Sequence, residues 1–313
     1  MKKTGYITDA AMITAVMAVM LLIDNFAGGF LLVNLAFFLP VPITIYGLKH
    51  NYKKAILPAV ATVIISLIIN WLVGLLYILP SAIVAIVYII VINKFTSKTG
   101  LKIGIMFAGS LIVNILTTVI FSRVLFGYTI VEDSLSLADS MIDIIANLGL
   151  SNETINNTLR AIVVSVIPAI VAINSLMEAI IAYLIISILA QRVLKLDIGG
   201  NVLALKIKVP SIVTFIFLPL SLISMFFIDK LVNYETFGIV QILVTIGLNI
   251  LVLLCLAYLI EAVVLSSLYF TRIRKRHLMF VSLLLLLFMP MIFVIVGFID
   301  SVFDLKAKIL RKW

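Results

Sequence analysis

Charged residues, cysteine and histidine are all scarce in this sequence. Charged residues make up 12% of the 313 residues, against about 25% in soluble domains, whereas hydrophobic residues make up 64%. The mean hydropathy is +1.30. This composition excludes a soluble globular protein and predicts an all-α bundle that crosses the cell membrane several times.

The rare residues also exclude several kinds of chemistry. The single cysteine, Cys255, lies in an apolar run and excludes an internal disulfide. His50 and His277 lie in different predicted loops, and no Cys/His group has metal-ligand spacing. The sequence contains neither a Gly-x-x-x-x-Gly-Lys-Ser/Thr loop nor a His-Glu-x-x-His motif. We therefore expect a protein that is not an enzyme and binds no cofactor or metal.

Basic residues outnumber acidic residues by 23 to 14, which gives a net charge of +9. Most of the basic residues lie in short segments between apolar runs, where lysine and arginine set the topology of a membrane protein. Lys2 and Lys3 precede the first run and predict a cytoplasmic N-terminus. The pattern therefore predicts contact with the lipid bilayer and no binding of nucleic acid.

The apolar runs predict about nine membrane-spanning helices, within a range of about eight to ten. Pro40 and Pro42 should kink or break the second run. A chain with nine spans places the tail outside, although four of the tail residues are basic. A broken or re-entrant segment in the 34-residue eighth run would instead give an even number of crossings and place the tail inside. The predicted helices are residues 7–23, 30–48, two within 55–91, 103–126, 161–190, 212–228, 237–270 and 279–299.

These runs predict four regions. They are a six-helix membrane module (1–191), a cytoplasmic linker (192–211), C-terminal membrane helices (212–299) and a basic tail (300–313).

The large outer loop of the first region, residues 127–160, has a helical period of its own. Apolar residues recur at three- and four-residue steps from Leu135 to Leu148, and Gly149 is the predicted C-terminal stop. Ser151 is the predicted N-cap of the next helix. Two interpretations of the amphipathic segment remain open: a helix on the membrane surface, and a lid over an outward-facing cavity.

Two carboxylates lie inside apolar runs, where a charge costs at least about 2.5 kcal/mol. Glu178 lies near the middle of its predicted helix and is either a substrate or proton site or a protonated acid that ties two helices together. Glu261 lies nearer the inner end of its run and is expected to reach toward the basic loop after Phe270. The predicted intramembrane polar cluster consists of Glu178, Asn114, Thr117 and Thr118.

A polar, glycine-rich turn follows the first predicted helix and is expected on the outer side. Together with polar residues of neighbouring runs, it is predicted to border a substrate cavity partly covered by residues 127–160. The candidate cavity residues are Asp24, Asn25, Asn34, Asn70 and Trp71.

The first predicted helix also carries a stripe of small residues. Ala11 and Ala15 form an Ala-x-x-x-Ala step, and Ala18 continues it. Small residues four apart allow a second helix to approach closely. The stripe either packs against helices of the same chain or docks a partner protein, and docking requires the alanines to be exposed in the isolated chain.

Several stretches resemble those of a known family. The start TDAAMITAVMAV, the proline-broken PVPITIYGLKHNYKKA, the KIKVP linker and the ending GFIDSVFDLKAK are similar to the YybS-like bacterial membrane proteins, domain-of-unknown-function family 2232. Over the first six helices, that family resembles the S components of energy-coupling-factor vitamin transporters. It is also similar to cell-shape scaffold proteins of the MreD type.

The resemblance implies a location in the bacterial cytoplasmic membrane and two roles for named residues. S components dock on a transmembrane coupling subunit through an Ala-x-x-x-Ala face, which here corresponds to Ala11 and Ala15. They bind vitamins under outer loops, and the resemblance assigns the Asp24–Gly29 turn and residues 127–160 to such a substrate gate. About 110 residues after the sixth helix depart from the S-component pattern. We therefore expect a substrate-binding or transport-accessory subunit, or alternatively a non-transporting scaffold with cell-envelope or division proteins as partners.

Overall fold

The computed structural model of the chain describes residues 5–28, 36–95, 99–125, 127, 130–198, 209–228, 239–272 and 289–311. All regular elements among these residues are helices. The chain divides into two compact units. The first consists of Met1–Ile130 and Asn174–Leu205, and the second of Val131–Ile173 and Lys206–Trp313.

Six helices among the described residues are long and apolar enough to cross a membrane. Two shorter apolar helices accompany them, Ser211–Phe226 and Pro290–Phe303. An all-α membrane protein is thereby confirmed, whereas nine spans, a cytoplasmic N-terminus and the four-region division stay predictions. The six candidate spans are Gly5–Phe26, Tyr52–Ile69, Trp71–Lys94, Thr99–Ile120, Glu153–Leu194 and Ile239–Phe270.

The first unit begins with five helices: α1 (Gly5–Phe26), α2 (Pro40–His50), α3 (Tyr52–Ile69), α4 (Trp71–Lys94) and α5 (Thr99–Leu125). The end of α2 contacts the start of α1. The Tyr46 hydroxyl donates to the Tyr6 carbonyl over 3.0 Å, and Lys49 Nζ lies 2.6 Å from the Asp9 carboxylate. Helices α1 and α2 are therefore antiparallel.

The prolines of the second apolar run break it, as predicted. A 3₁₀ turn (Ala36–Phe38) precedes α2, which starts at Pro40 and has 11 residues. Such a helix is about 16 Å long, roughly half the thickness of the hydrocarbon core. Thr44 donates its hydroxyl to the Pro40 carbonyl over 2.8 Å. Residues 30–35 of the predicted run lie outside the described residues.

A tight turn at Asn70 separates α3 from α4. The Asn70 side chain accepts a hydrogen bond from the Val73 N–H over 3.3 Å and caps α4, which contains a π-helical turn, Gly74–Ile78. A Cβ at Gly74 would lie 2.9 Å from Ser66 Oγ and 3.0 Å from the backbone nitrogen of Leu67. The close approach of the two helices therefore requires glycine at this position.

The amphipathic helix predicted within residues 127–160 is present as α6 (Ile130–Asn147). Gly149, with a φ of +72°, follows it in the left-handed conformation expected of a helix stop. Helix α7 (Glu153–Leu189) follows and continues into a π-helical turn, Ala190–Leu194. Its first part belongs to the second unit and its remainder to the first.

The predicted N-cap of α7, Ser151, was wrong by one residue. Asn152 Oδ1 accepts a hydrogen bond from the Ile155 N–H over 2.8 Å, which is the capping interaction. The Ser151 hydroxyl instead donates to the side-chain oxygen of Asn156 over 3.0 Å. Asn152 directly precedes the first helical residue, so its short side chain reaches the exposed N–H groups of the first turn.

The second unit also contains α8 (Ser211–Phe226), α9 (Ile239–Arg272), α10 (Pro290–Phe303) and α11 (Leu305–Arg311). Thr214, near the start of α8, bonds with Tyr258, whereas Ser224, near its end, lies against Gly247. Helices α8 and α9 are therefore antiparallel. Gly297 lies against Tyr258 and Lys306 against Glu261, so the α10–α11 segment runs in the same direction as α9.

This arrangement places the start of the tail, whose side the sequence left open, beside the end of the linker. Ser301, near the end of α10, accepts a hydrogen bond on its carbonyl from Ser211 over 2.8 Å, and its hydroxyl donates to the Val209 carbonyl over 3.3 Å. The tail thus begins at the end of the unit where the linker enters α8. Helix α9 is continuous, and residues 273–288 lie outside the described part of the chain.

Candidate functional site

A shallow apolar groove lies between α1 and α3 in the first unit, with a volume of about 420 Å³. Ala11 and Ala15 are exposed on its α1 side, and Ala18 is half-buried. The interior face of α1 is instead formed by other residues, among them Ala10 and Met17. The groove is lined by Ile7, Ala10, Ala11, Thr14, Ala15, Leu57, Pro58, Ala61 and Ile65.

A buried polar cluster surrounds Glu178, in the part of α7 that belongs to the first unit. The Asn114 side-chain amide of α5 donates to Glu178 Oε2 over 3.3 Å and to Ser175 Oγ over 2.9 Å. Glu178 is 8% exposed and Ser175 is fully buried. The structure therefore brings together Glu178 and Asn114, two members of the predicted cluster.

The other two predicted members lie on the same helix as Asn114. Thr117 donates its hydroxyl to the Val113 carbonyl of its own helix over 2.7 Å, and Thr118 is half-buried on the same helix. A threonine hydroxyl in a membrane helix commonly bonds four residues back, because the carbonyl is always within reach.

The Glu178 cluster also includes two residues that the sequence pattern did not predict. The hydroxyl groups of Tyr88 and Ser110 are 2.6 Å apart, and both residues are fully buried. Ser110 also interacts with the Glu178 carboxyl. Three helices, α4, α5 and α7, therefore surround the acid with neutral hydrogen-bonding groups, which is a setting that can hold a proton or a polar ligand group.

The outer turn brings together only some of the predicted cavity residues. Asn70 Nδ2 donates to Asn25 Oδ1 over 3.4 Å, Asp24 is buried, and Trp71 is exposed. Asn34 lies outside the described residues. That residues 127–160 cover this turn stays a prediction.

Glu261 of α9 lies in a buried ionic cluster in the second unit. Lys306 Nζ is 3.4 Å from Glu261 Oε1 and 3.2 Å from Asp300 Oδ2. Glu261 is fully buried and Asp300 is 1% exposed. The second Glu261 oxygen accepts from the Val209 N–H over 3.4 Å. Glu261 thus binds the linker end and the tail. Residues 273–288 of the basic loop, toward which Glu261 was predicted to reach, lie outside the described residues.

Hydroxyl groups connect α8, α9 and α10 beside this ionic cluster. Thr214 Oγ1 is 2.5 Å from Ser301 Oγ, and the Tyr258 hydroxyl donates to Thr214 Oγ1 over 3.0 Å. All three residues are buried. The network fixes α8, α9 and α10 relative to one another and gives the described end of the second unit a polar interior.

The fold and these buried polar clusters define an integral membrane protein built from apolar helices. Over residues 15–301 the chain matches the family described as Predicted membrane protein (DUF2232), and it belongs to that family. No curated protein and no solved structure matches the chain. The similarities to S components and to MreD-type scaffolds stay predictions.

Proposed function

We propose that the protein is a non-enzymatic subunit of the bacterial cytoplasmic membrane that docks on a transmembrane helix of a partner protein. The observation that carries the proposal is the exposure of Ala11 and Ala15 in the groove between α1 and α3. Small residues on an exposed face allow two helix backbones to approach closely, which is the main source of van der Waals contact between membrane helices.

The composition of the groove favours a helix as its occupant. Three alanines, Ala11, Ala15 and Ala61, leave a depression between larger side chains such as Ile7 and Leu57. A partner helix with small residues of its own fits such a depression, and it gains contact on both sides of the groove. The lining is apolar, so the occupant must be apolar as well.

The proposed partner is the coupling subunit of a transport system, for which this chain supplies substrate binding. The Glu178 cluster supports this assignment, because a buried carboxyl group among neutral hydroxyl and amide groups is suited to a polar or cationic group of a small molecule. In the alternative function, a scaffold for cell-envelope or division machinery, the same groove docks a different partner and the Glu178 cluster is structural.

Affinity purification from native membranes, followed by mass spectrometry, tests the proposal. The test variant carries Ala11→Leu and Ala15→Leu, and the matched control carries Met12→Phe and Val16→Phe, which are exposed and lie about 100° around α1 from the alanines. We expect both variants to accumulate to the wild-type level, and only the groove variant to lose the copurified membrane partner.

Each result has a defined meaning. A coupling subunit with its ATPase among the lost proteins supports the transport role, whereas cell-wall or division proteins support the scaffold. Retention of every wild-type partner by the groove variant excludes docking through α1. A reduced protein level in the groove variant alone indicates internal packing, because overpacking typically costs about 1–3 kcal/mol.

A further inference from the structure

The apolar side of helix α6 has two halves, and only one of them is buried. Its inner half is buried in the second unit, where Ala138 is 0% exposed and Ile142 is 8% exposed. The other half is uncovered: Leu137 is 60% exposed, Met141 46% and Ile144 62%, and Leu148 just beyond the helix is 68% exposed. A regular row of large apolar side chains on α6 is therefore exposed.

The two halves are adjacent on the helix, and the polar residues lie opposite them. At about 100° per residue, the exposed row (Leu137, Met141, Ile144 and Leu148, called here the α6 stripe) is roughly 110° from the buried row of Ala138 and Ile142. Three acidic residues whose side chains the structure describes, Glu132, Asp139 and Asp143, lie on the far side and are exposed. This pattern is typical of a helix that packs against protein along one apolar row and presents a second apolar row to an apolar medium.

We propose that the α6 stripe inserts into the boundary between lipid headgroups and acyl chains, so that α6 lies on the membrane surface. The chain itself keeps α6 near the membrane. Four residues separate α6 from α5, five separate it from α7, and both of those helices contain candidate membrane spans. A five-residue connection reaches at most about 18 Å.

The charge pattern indicates which kind of lipid surface α6 binds. The polar side is acidic, and Asp139 forms an ion pair of 2.8 Å with Arg160, in which both side chains are about half exposed. Such a face gains nothing from anionic headgroups. Insertion therefore depends on the apolar area of the stripe, and zwitterionic lipid is sufficient.

Tryptophan fluorescence in reconstituted vesicles tests this inference. Trp71 and Trp313 are first replaced by phenylalanine, so that a single reporter can be introduced. Met141→Trp places the reporter in the α6 stripe, and Ser136→Trp is the matched control on the polar side. The vesicles contain phosphatidylcholine with brominated acyl chains, which quench only a tryptophan within the lipid, and acrylamide is the aqueous quencher.

We expect brominated lipid to quench the Met141→Trp protein several-fold more strongly than the Ser136→Trp protein, with the reverse order for acrylamide. High salt should leave both results unchanged, because apolar insertion is not screened. Ile144→Trp is a second reporter of the stripe and serves if Met141→Trp folds poorly. A stripe reporter that acrylamide reaches freely overturns the inference, since the stripe is then in water. Protection from both quenchers also overturns it, since protein then covers the stripe, as in a lid.

Discussion

The side-chain amide of Asn249 in α9 donates to the backbone carbonyl of Ser165 in α7 over 2.7 Å. The same amide accepts a hydrogen bond from the Ala169 N–H, also over 2.7 Å. In a regular α-helix, this N–H and this carbonyl bond to each other. Asn249 therefore bridges an opened turn of α7, next to Pro168, and satisfies two backbone groups for which lipid has no hydrogen bonds.

Asn249→Ala is expected to destabilise the second unit. It leaves the Ser165 carbonyl and the Ala169 N–H without the bridging amide, and an unsatisfied buried polar group costs about 1–3 kcal/mol. Thermal unfolding in detergent should show a lower transition temperature for this variant than for the wild type.

Pro168→Ala provides the control for that measurement. Alanine restores the missing N–H and removes the ring that keeps the turn open, so α7 can close its own hydrogen bonds. Asn249→Ala should therefore cost less in the Pro168→Ala background than in the wild type. An equal cost in both backgrounds contradicts the bridging role.

Lys306→Met is expected to destabilise the second unit more strongly. The substitution leaves the buried carboxyl groups of Glu261 and Asp300 without this cation, and breaking a buried ion pair costs about 3–5 kcal/mol. Lys308→Met, two residues away on the exposed side of α11, is the matched control and should have little effect. The readout is the protein level in membranes and the transition temperature after purification.

A double variant separates the ionic contribution from simple packing. Glu261→Gln removes one buried charge, so Lys306→Met should cost less in that background than in the wild type. Independent, additive effects of the two substitutions would show that Lys306 does not act through its ion pair with Glu261.

The tail is expected to lie on the same side of the membrane as the linker. In a Cys255→Ser background, single cysteines at Lys308 and at Ile212 should react with a membrane-impermeant maleimide from the same side. A cysteine at Phe227, at the far end of α8, should react from the other side. Labelling of Lys308→Cys together with Phe227→Cys would contradict the parallel arrangement of α9 and α10.

Glu178→Gln is expected to preserve the fold of the first unit. Glutamine retains the shape of the side chain and an oxygen that accepts from Asn114, so the protein level should match the wild type. Glu178→Leu leaves the Asn114 amide with one partner fewer and should lower the level. Loss of partner-dependent transport in the glutamine variant at a normal level would assign a role to the titratable proton. Normal transport would leave a structural role.

Glu178 and Asn114 were predictable from sequence because polar residues are rare in apolar runs and their depth follows from counting turns. Tyr88 and Ser110 were not, since tyrosine and serine are common in membrane helices and only the packing of α4 on α5 brings their hydroxyls together. Asn249 had a signal in Pro168, because an interrupted membrane helix needs a polar partner elsewhere.

Lys306 was missed for a different reason. Its sequence neighbourhood is an ordinary basic tail, and counting nine spans assigned that tail to the opposite side from Glu261. The side on which the tail lies follows from the direction of α10 relative to α9. The two helices approach each other closely where Gly297 lies against the Tyr258 backbone. A hydropathy pattern does not show whether two packed helices run parallel or antiparallel.

The division of α7 between the two units has a consequence for how the gene can be cut. A truncation at residue 191 would keep all of α7 but delete α9, and with it the Val244 and Leu248 side chains that cover Ala161 and the amide that bridges Ser165 and Ala169. The shortened product would expose two bare backbone groups in the middle of a membrane helix. The residues after the linker therefore complete the packing and hydrogen bonding of α7, and a gene product that ends before them lacks both.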